Sequence, residues 1–377
     1  VNGICHFIEH MLFKGTEMRS TFDIAREIDT VGGALNAFTS RETTCFYCKV
    51  LDENLDVATD LLTDIFLNST FPDYEIEREK RVIFQEILMT EDSPEEFVHE
   101  VLGNRFWKGD PLGLPVMGTV ETVGGLSRDS MLRFKNRAYN TAETIVCAAG
   151  KLKHEHIVDL ISAKMEKLPH HDGSAPLPSP RSVVAREVIN RDLEQIHFCA
   201  AVPGPSAVHK DRHAGYLLST ILGGGMSSRL FQEVREKSGL AYSVYSFLSA
   251  VSDAGMFGLY AACEPSRIEE LLSILKRETT VLASGVTEEE IAVTKKQFRG
   301  NIVLSMESSE SRMHRLAKAE YYHGRHVSYS EVIEAVEGVT TADIADLAER
   351  IINPEQFTLV ALGPVKDGES LFDLFLN

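Results

Sequence analysis

The sequence predicts an α+β fold made of two similar domains, each an α/β sandwich in which helices pack on an antiparallel or mixed sheet. Three observations carry that expectation. Helical and extended hydrophobic periods alternate along the chain, one Pro/Gly-rich stretch near its middle reads as a linker, and the pattern of the first half starts again after it. The boundaries expected are a first domain over 1–168, a linker over 169–182 and a second domain over 183–377. With 377 residues, 44% of them hydrophobic, the chain is long enough for two domains with substantial cores.

The first informative stretch is Gly3 to Thr16, GICHFIEHMLFKGT. As a helix it places His10 one turn beyond His6 on the same face, with Glu9 between them. Two imidazoles on successive turns can reach one divalent ion, and the carboxylate beside them can handle a proton of the water such an ion activates. This order, H-x-x-E-H, is a known zinc peptidase signature, although two histidines and a glutamate at this spacing also occur in ordinary amphipathic helices. Ile8, Met11, Leu12 and Phe13 make the other side strongly apolar. The helix is therefore expected to be buried, and a buried polar cluster needs partners or a metal.

Thr21 to Val31 reads as a second helix after a Ser/Thr cap, ending at Gly32-Gly33. Strands over Ala34 to Thr39 and Thr43 to Leu51 follow, joined by a turn around Ser40-Arg41-Glu42, and they predict an antiparallel hairpin. Asp52 to Phe66 is again helical. Along the helix predicted over Tyr74 to Met89, Ile76, Ile83 and Ile87 mark the apolar stripe, and Glu79 and Glu86 lie beside it. Salt bridges to nearby Arg or Lys would account for such glutamates in isolation. Beside a two-histidine site, the better reading is that one of them is the third ligand, which leaves the open fourth position that catalytic zinc needs.

Helices over 95–107 and near Ser127 to Ala138, and a strand from Glu143 to Ala149, complete the first half. Lys153-His154-Glu155-His156 opens an amphipathic helix and reads as a solvated surface. The strongest linker signal is Lys167 to Arg181, which contains PHHDGSAPLPSPR.

After the linker, Asp52 to Phe66 has a counterpart in Pro265 to Thr279, and DYEIEREKRVIFQEI is echoed by TEEEIAVTKKQFRGNI. In this alignment His6, Glu9 and His10 become Tyr216, Ser219 and Thr220, and Glu86 becomes Asn301. The second copy lacks every proposed ligand. One metal site per chain is the consequence.

A formal charge of −18 argues against nucleic acid, whose phosphate backbone requires a basic footprint. No apolar run is long enough to span a bilayer. The six cysteines, at 5, 45, 48, 147, 199 and 263, form no dense framework, which suits a reducing compartment. Cys45 and Cys48 lie on a strand, where positions three apart face opposite ways, so this C-x-x-C reads as structural. The active-site helix stands within a few residues of Val1, and the first strands of its domain, with any targeting segment, are expected to precede it.

The chain resembles the M16 family of zinc metallopeptidases, the group of pitrilysin, insulin-degrading enzyme and mitochondrial processing peptidase, in its short two-domain form. The residues that carry the resemblance are GICHFIEHMLFKGT, GGALNAFTSRETT at 32–44, Glu86, and SSRLFQEVREKSGLAYSV at 227–244. It implies one Zn2+ per chain held by His6, His10 and Glu86, with Glu9 as general base and Glu79 orienting the ligand shell. It also implies that Arg235 and Tyr242 reach the substrate, and that a peptide lies along an edge strand at Asn36, Ala37, Phe38 and Thr39. The family fold is two similar domains facing one another as a clam-shell around a closed chamber. The expected activity is that of a metalloendopeptidase on peptides or short unfolded polypeptides, in a homodimer of the bacterial cytoplasm or, alternatively, the mitochondrial matrix. The resemblance also admits a non-catalytic or partner-dependent subunit, but such chains usually have an eroded histidine motif, and here it is intact.

Overall fold

Gly3 sets where the first helix begins. Its φ is +82°, and a Cβ there would meet Met117 O at 2.7 Å and Gly118 Cα at 2.9 Å, so both the backbone conformation and the space require glycine. The helix that follows, Ile4–Leu12, buries Ile4, Phe7, Ile8, Met11 and Leu12 against Phe71, Ile76 and Ile83. The computed structural model describes residues 1–170 and 178–377. The central part of the predicted linker, 171–177, lies outside the described residues.

The chain divides into two compact units. The first contains Val1–Met89, the described part of Leu114–Leu177, and Ser308–Tyr321. Its strands are β1 (Ala34–Thr39) and β2 (Thr44–Lys49), antiparallel in a register that pairs Asn36 with Tyr47, Phe38 with Cys45 and Thr39 with Thr44. The turn closes where the Ser40 N–H donates to Thr43 O at 2.8 Å. Helix Thr21–Thr30 opens on a capping box between Ser20 and Asp23. It packs Ile24 and Ile28 against Leu61 and Ile65 of helix Leu55–Asn68. Helix Asp73–Asp92 supplies Ile76, Ile83 and Ile87 to the core, as its stripe predicts.

The strand expected over Glu143 to Ala149 is not formed: residues 144–149 have no ladder partner among the described residues. A strand is made by its neighbour, so an apolar run predicts only the capacity to become one. Cys48 packs beside Leu35, Cys45 lies on the opposite face, and all six cysteines are free thiols. The surface expected at 153–156 is seen, with His156 Nε2 3.5 Å from Asp56 Oδ1 at an exposed ion pair.

The second unit contains Thr90–Gly113, Pro178–Glu307 and Tyr322–Asn377. Its sheet comprises β3 (Arg186–Asn190), β4 (Ile196–Pro203), β5 (Val244–Ala250), β6 (Gly255–Cys263) and β7 (Thr358–Gly363), in the order β3-β7-β4-β6-β5. β3 and β7 run parallel and the other neighbours antiparallel, giving a mixed sheet. Alternation along β4 divides the core. Phe198, Ala200 and Val202 face helices Arg212–Gly223 and Ile268–Ala283, whereas Cys199 and Ala201 face helix Pro94–Phe106. Tyr216, Ser219 and Thr220 lie on helix Arg212–Gly223, and Asn301 lies on helix Glu288–Ser305.

At two places packing does not follow the halves 1–168 and 183–377. Helix Pro94–Phe106 belongs to the second unit, where Val98, Leu102 and Phe106, one helical turn apart, are completely buried against the sheet. Most of helix Ser309–His323 belongs to the first unit. Each half of the chain thus lends one helix to the other unit.

Two half-buried histidines give the fold a pH dependence. Burial, aided by the neighbouring His10, lowers the His6 pKa to about 4, and burial beside Arg212 and His323 does the same to His213 in the other unit. Between pH 6.5 and about 4 the unfolded chain therefore binds more protons than the folded one, so this stability is fully present above pH 6.5 and is lost as pH falls toward 4. The melting temperature of metal-free protein is expected to fall across that window, and to fall less in His213→Asn. An equal fall in the variant would assign the dependence to other groups.

Candidate metal centre

The helical spacing of His6 and His10 brings their rings to 4.6 Å between centroids. Glu86, two turns beyond Glu79 on helix Asp73–Asp92, comes up to both. Its Oε2 is 3.8 Å from His6 Nε2 and 3.6 Å from His10 Nε2. One ligand atom from each of the three residues falls within 4.8 Å of the others, and among the described residues no other trio of His, Cys, Asp or Glu does so.

The donor set fits a zinc ion. Ligands about 2.0–2.2 Å from a tetrahedral ion lie roughly 3.4 Å from one another, slightly less than the separations seen. Glu86 Oε2 and His6 Nδ1 are buried, yet neither has a hydrogen-bond partner within the protein. A buried carboxylate oxygen facing two imidazole nitrogens is costly unless a cation draws them together. His6 is neutral at pH 7 because burial depresses its pKa, which leaves a lone pair free for a metal.

Around the trio stands a supporting layer. His10 Nδ1 donates to Glu79 Oε2 at 3.1 Å, which fixes the tautomer with the Nε2 lone pair turned toward Glu86. Glu79 is almost wholly buried, and its other oxygen accepts from Lys14 Nζ at 2.8 Å. That ion pair holds the Glu79 side chain in place. Glu79→Gln is expected to weaken zinc binding about 10–100-fold, measured by competition with a chromophoric chelator; unchanged affinity would remove Glu79 from the supporting layer.

Glu9 is buried, and its Oε2 accepts a hydrogen bond from Thr39 Oγ1. Burial raises its pKa, opposed by the Thr39 bond and by the charge of His10. A carboxylate made more basic in this way suits proton transfer near neutral pH.

Arg235 and Tyr242 lie in the second unit and contact one another. The Arg235 guanidinium is 4.3 Å from the Tyr242 ring centre, and Nη1 donates to Tyr242 O at 3.2 Å. Arg235 lies on a π-helical turn, Phe231–Lys237, and Tyr242 is 80% exposed. Asn36, Ala37, Phe38 and Thr39 are on β1, which pairs with β2 and has no strand partner on its outer edge among the described residues.

Sequence reasoning did not find the supporting role of Lys14, nor the bond from Thr39 to Glu9. Lys14 stands four residues after His10, and that spacing is the local signal for a partner to the glutamate His10 bonds. Thr39 gives no local signal, since the bond joins a strand to a helix thirty residues away.

The Insulinase (Peptidase family M16) domain matches residues 1–120, and the Peptidase M16 inactive domain matches residues 125–298. An uncharacterized zinc protease of Streptomyces coelicolor is 39% identical over 98% of this chain and 82% of its own length. Another, from Bacillus subtilis, is 35% identical over 97% of this chain and 89% of its own. Among solved structures, a peptidase M16 inactive domain from Pseudomonas fluorescens superposes with a TM-score of 0.89 at 19% identity, covering 97% of this chain and 88% of that one. A protease from Helicobacter pylori gives 0.88 at 22% identity, covering 96% and 89%. These last two show the two-domain α+β fold. No helix among the described residues is long and apolar enough to cross a membrane. From these matches over nearly its whole length, the chain belongs to the M16 family of zinc peptidases.

Proposed function

We propose that the protein is a zinc-dependent endopeptidase with one Zn2+ per chain, held by His6, His10 and Glu86. The observation that carries this reading is the convergence of His6 Nε2, His10 Nε2 and a buried, unpartnered Glu86 Oε2 beside a base-like Glu9. When bound, the ion would supply Lewis-acid polarisation of a peptide carbonyl and acidify water.

The protein's own residues would do the rest. The outer edge of β1 accepts an extended peptide as an added strand, giving affinity through main-chain hydrogen bonds with little demand on sequence. Glu9 takes a proton from the attacking water and returns it to the departing amine. Thr39, bonded to Glu9, links that strand to the base and holds the carboxylate in one orientation. Glu79 and Lys14 keep the His10 ring in place. Arg235 and Tyr242, one cationic and one a phenol, would steady the substrate's backbone as negative charge develops on it.

The presence of both an intact ligand set and the Arg235–Tyr242 pair supports a self-sufficient homodimer over a partner-dependent subunit. Six free thiols support a reducing compartment such as the bacterial cytoplasm. Digestion of a mixed peptide library by purified, zinc-loaded protein tests the reading, with products identified by mass spectrometry and size measured in parallel. Zinc-dependent internal cleavage by a species of twice the chain mass is expected. Cleavage of nothing, or only after a different chain is added, would favour the non-catalytic or partner-dependent role.

A further inference from the structure

The two exchanged helices carry the same pair of residues. Glu95 and His99 on helix Pro94–Phe106, and Glu310 and His314 on helix Ser309–His323, are each four apart, at the sequence offset that also relates Glu86 to Asn301. Each histidine packs on a matching Phe and Tyr of the unit it joins. His99 lies 5.1 Å from the Phe247 ring and 5.4 Å from Tyr260; His314 lies 5.5 Å from Phe38 and 4.9 Å from Tyr47. Strand register makes the match complete, because Tyr260 pairs with Tyr245 as Tyr47 pairs with Asn36, and Phe247 follows Tyr245 as Phe38 follows Asn36.

At two positions the two arrangements differ: Cys45, whose Sγ lies 3.9 Å from His314 Nδ1, stands where the second unit has Gly258, and Asn36 stands where it has Tyr245. In the second unit the Tyr245 phenol joins the pair: His99 Nε2 is 2.8 Å from Tyr245 Oη, which donates to Glu95 Oε1 at 2.8 Å. In the first unit the equivalent residue is Asn36, whose Oδ1 is engaged by the Ala37 N–H. Among the described residues no phenol is seen to join Glu310 to His314 there. Their nearest approach is 4.0 Å, beyond hydrogen-bond range, and Phe38 beside them is 39% exposed.

Asn36 lies on the strand whose outer edge has no strand partner among the described residues. A side chain on a peptide paired there would stand opposite or diagonal to Asn36, within reach of a long aromatic residue. We propose that Phe38, Glu310 and His314 form a specificity subsite for a tyrosine side chain of the bound peptide, whose phenol takes the place that Tyr245 holds in the other unit. The inference rests on the strand-addition reading above. It adds what that reading lacks, a preference for one residue type at one register. The ring would gain edge contacts with Phe38 and His314, and the hydroxyl would bridge His314 and Glu310. A site that hydrogen-bonds a hydroxyl discriminates against an analogue without it, so phenylalanine would be bound less well than tyrosine.

The test uses the full chain with Glu9→Gln, so that bound peptide is not cut, and alanine-based octapeptides with a single tyrosine moved through successive positions. Fluorescence anisotropy is expected to show one register at which the tyrosine peptide binds about tenfold tighter than its alanine parent and tighter than its phenylalanine counterpart. Glu310→Gln, which alters only charge, and Asn36→Tyr, which fills the site from within, should each bring the ratio near one; His314→Ala should do the same if it folds. Equal affinity at every register, or a tyrosine preference that survives both Glu310→Gln and Asn36→Tyr, would overturn the subsite. The peptidase reading fails separately, if zinc-loaded wild-type protein cleaves none of these peptides while the binding preference holds.

Discussion

Glu9→Gln is expected to lower peptide turnover by about 10²–10⁴-fold while leaving zinc content unchanged. The substitution keeps the side chain's shape and its ability to accept from Thr39 Oγ1, and it removes the basic oxygen. Glu9 is not one of the three converging ligands, so metal should remain. The measurement pairs kcat on an unfolded peptide with zinc per chain by atomic emission. Loss of turnover together with loss of zinc would make Glu9 a ligand instead of a base, and near-normal turnover would remove it from proton transfer.

The second large effect is expected at Glu86. Glu86→Gln replaces the only anionic donor of the trio with a neutral amide, leaving two imidazoles on one helix. If roughly 10–16 kcal/mol of zinc binding is spread over four ligands, each contributes about 3 kcal/mol, or about two orders of magnitude in affinity. Dialysis against a chelator of graded strength should strip the variant at concentrations that leave wild-type protein loaded. Activity should return when zinc is supplied in excess, because Glu9 and its Thr39 bond are untouched. Retention of zinc equal to wild type would place the third ligand elsewhere.

The sequence showed those features whose cause is local. β1 forms over Ala34–Thr39 as expected, since alternation and the turn at Ser40–Thr43 define a hairpin without outside help. His6, Glu9 and His10 fall on one helix because spacing alone puts them there. Glu86 was approachable from its place beside the stripe of Ile76, Ile83 and Ile87. Tertiary causes were not legible. Periodicity identifies the buried face of helix Pro94–Phe106 but not which sheet receives it, so its place in the second unit was not foreseen. The same holds for Ser309–His323, and hence for the contrast between Asn36 and Tyr245. The stretch from Glu143 to Ala149 has the composition of a strand, yet residues 144–149 pair with no neighbour among the described residues, and composition cannot supply one. Lys14 and Thr39 act through partners far away in sequence, Glu79 and Glu9.

The position of the bound ion is the deciding observation. An anomalous difference map at the zinc edge, from crystals of the zinc-loaded protein, locates it directly. A single peak per chain in contact with His6 Nε2, His10 Nε2 and a Glu86 carboxylate oxygen is the predicted result; a peak at the cysteines or on the surface, with those three side chains left apart, would contradict it.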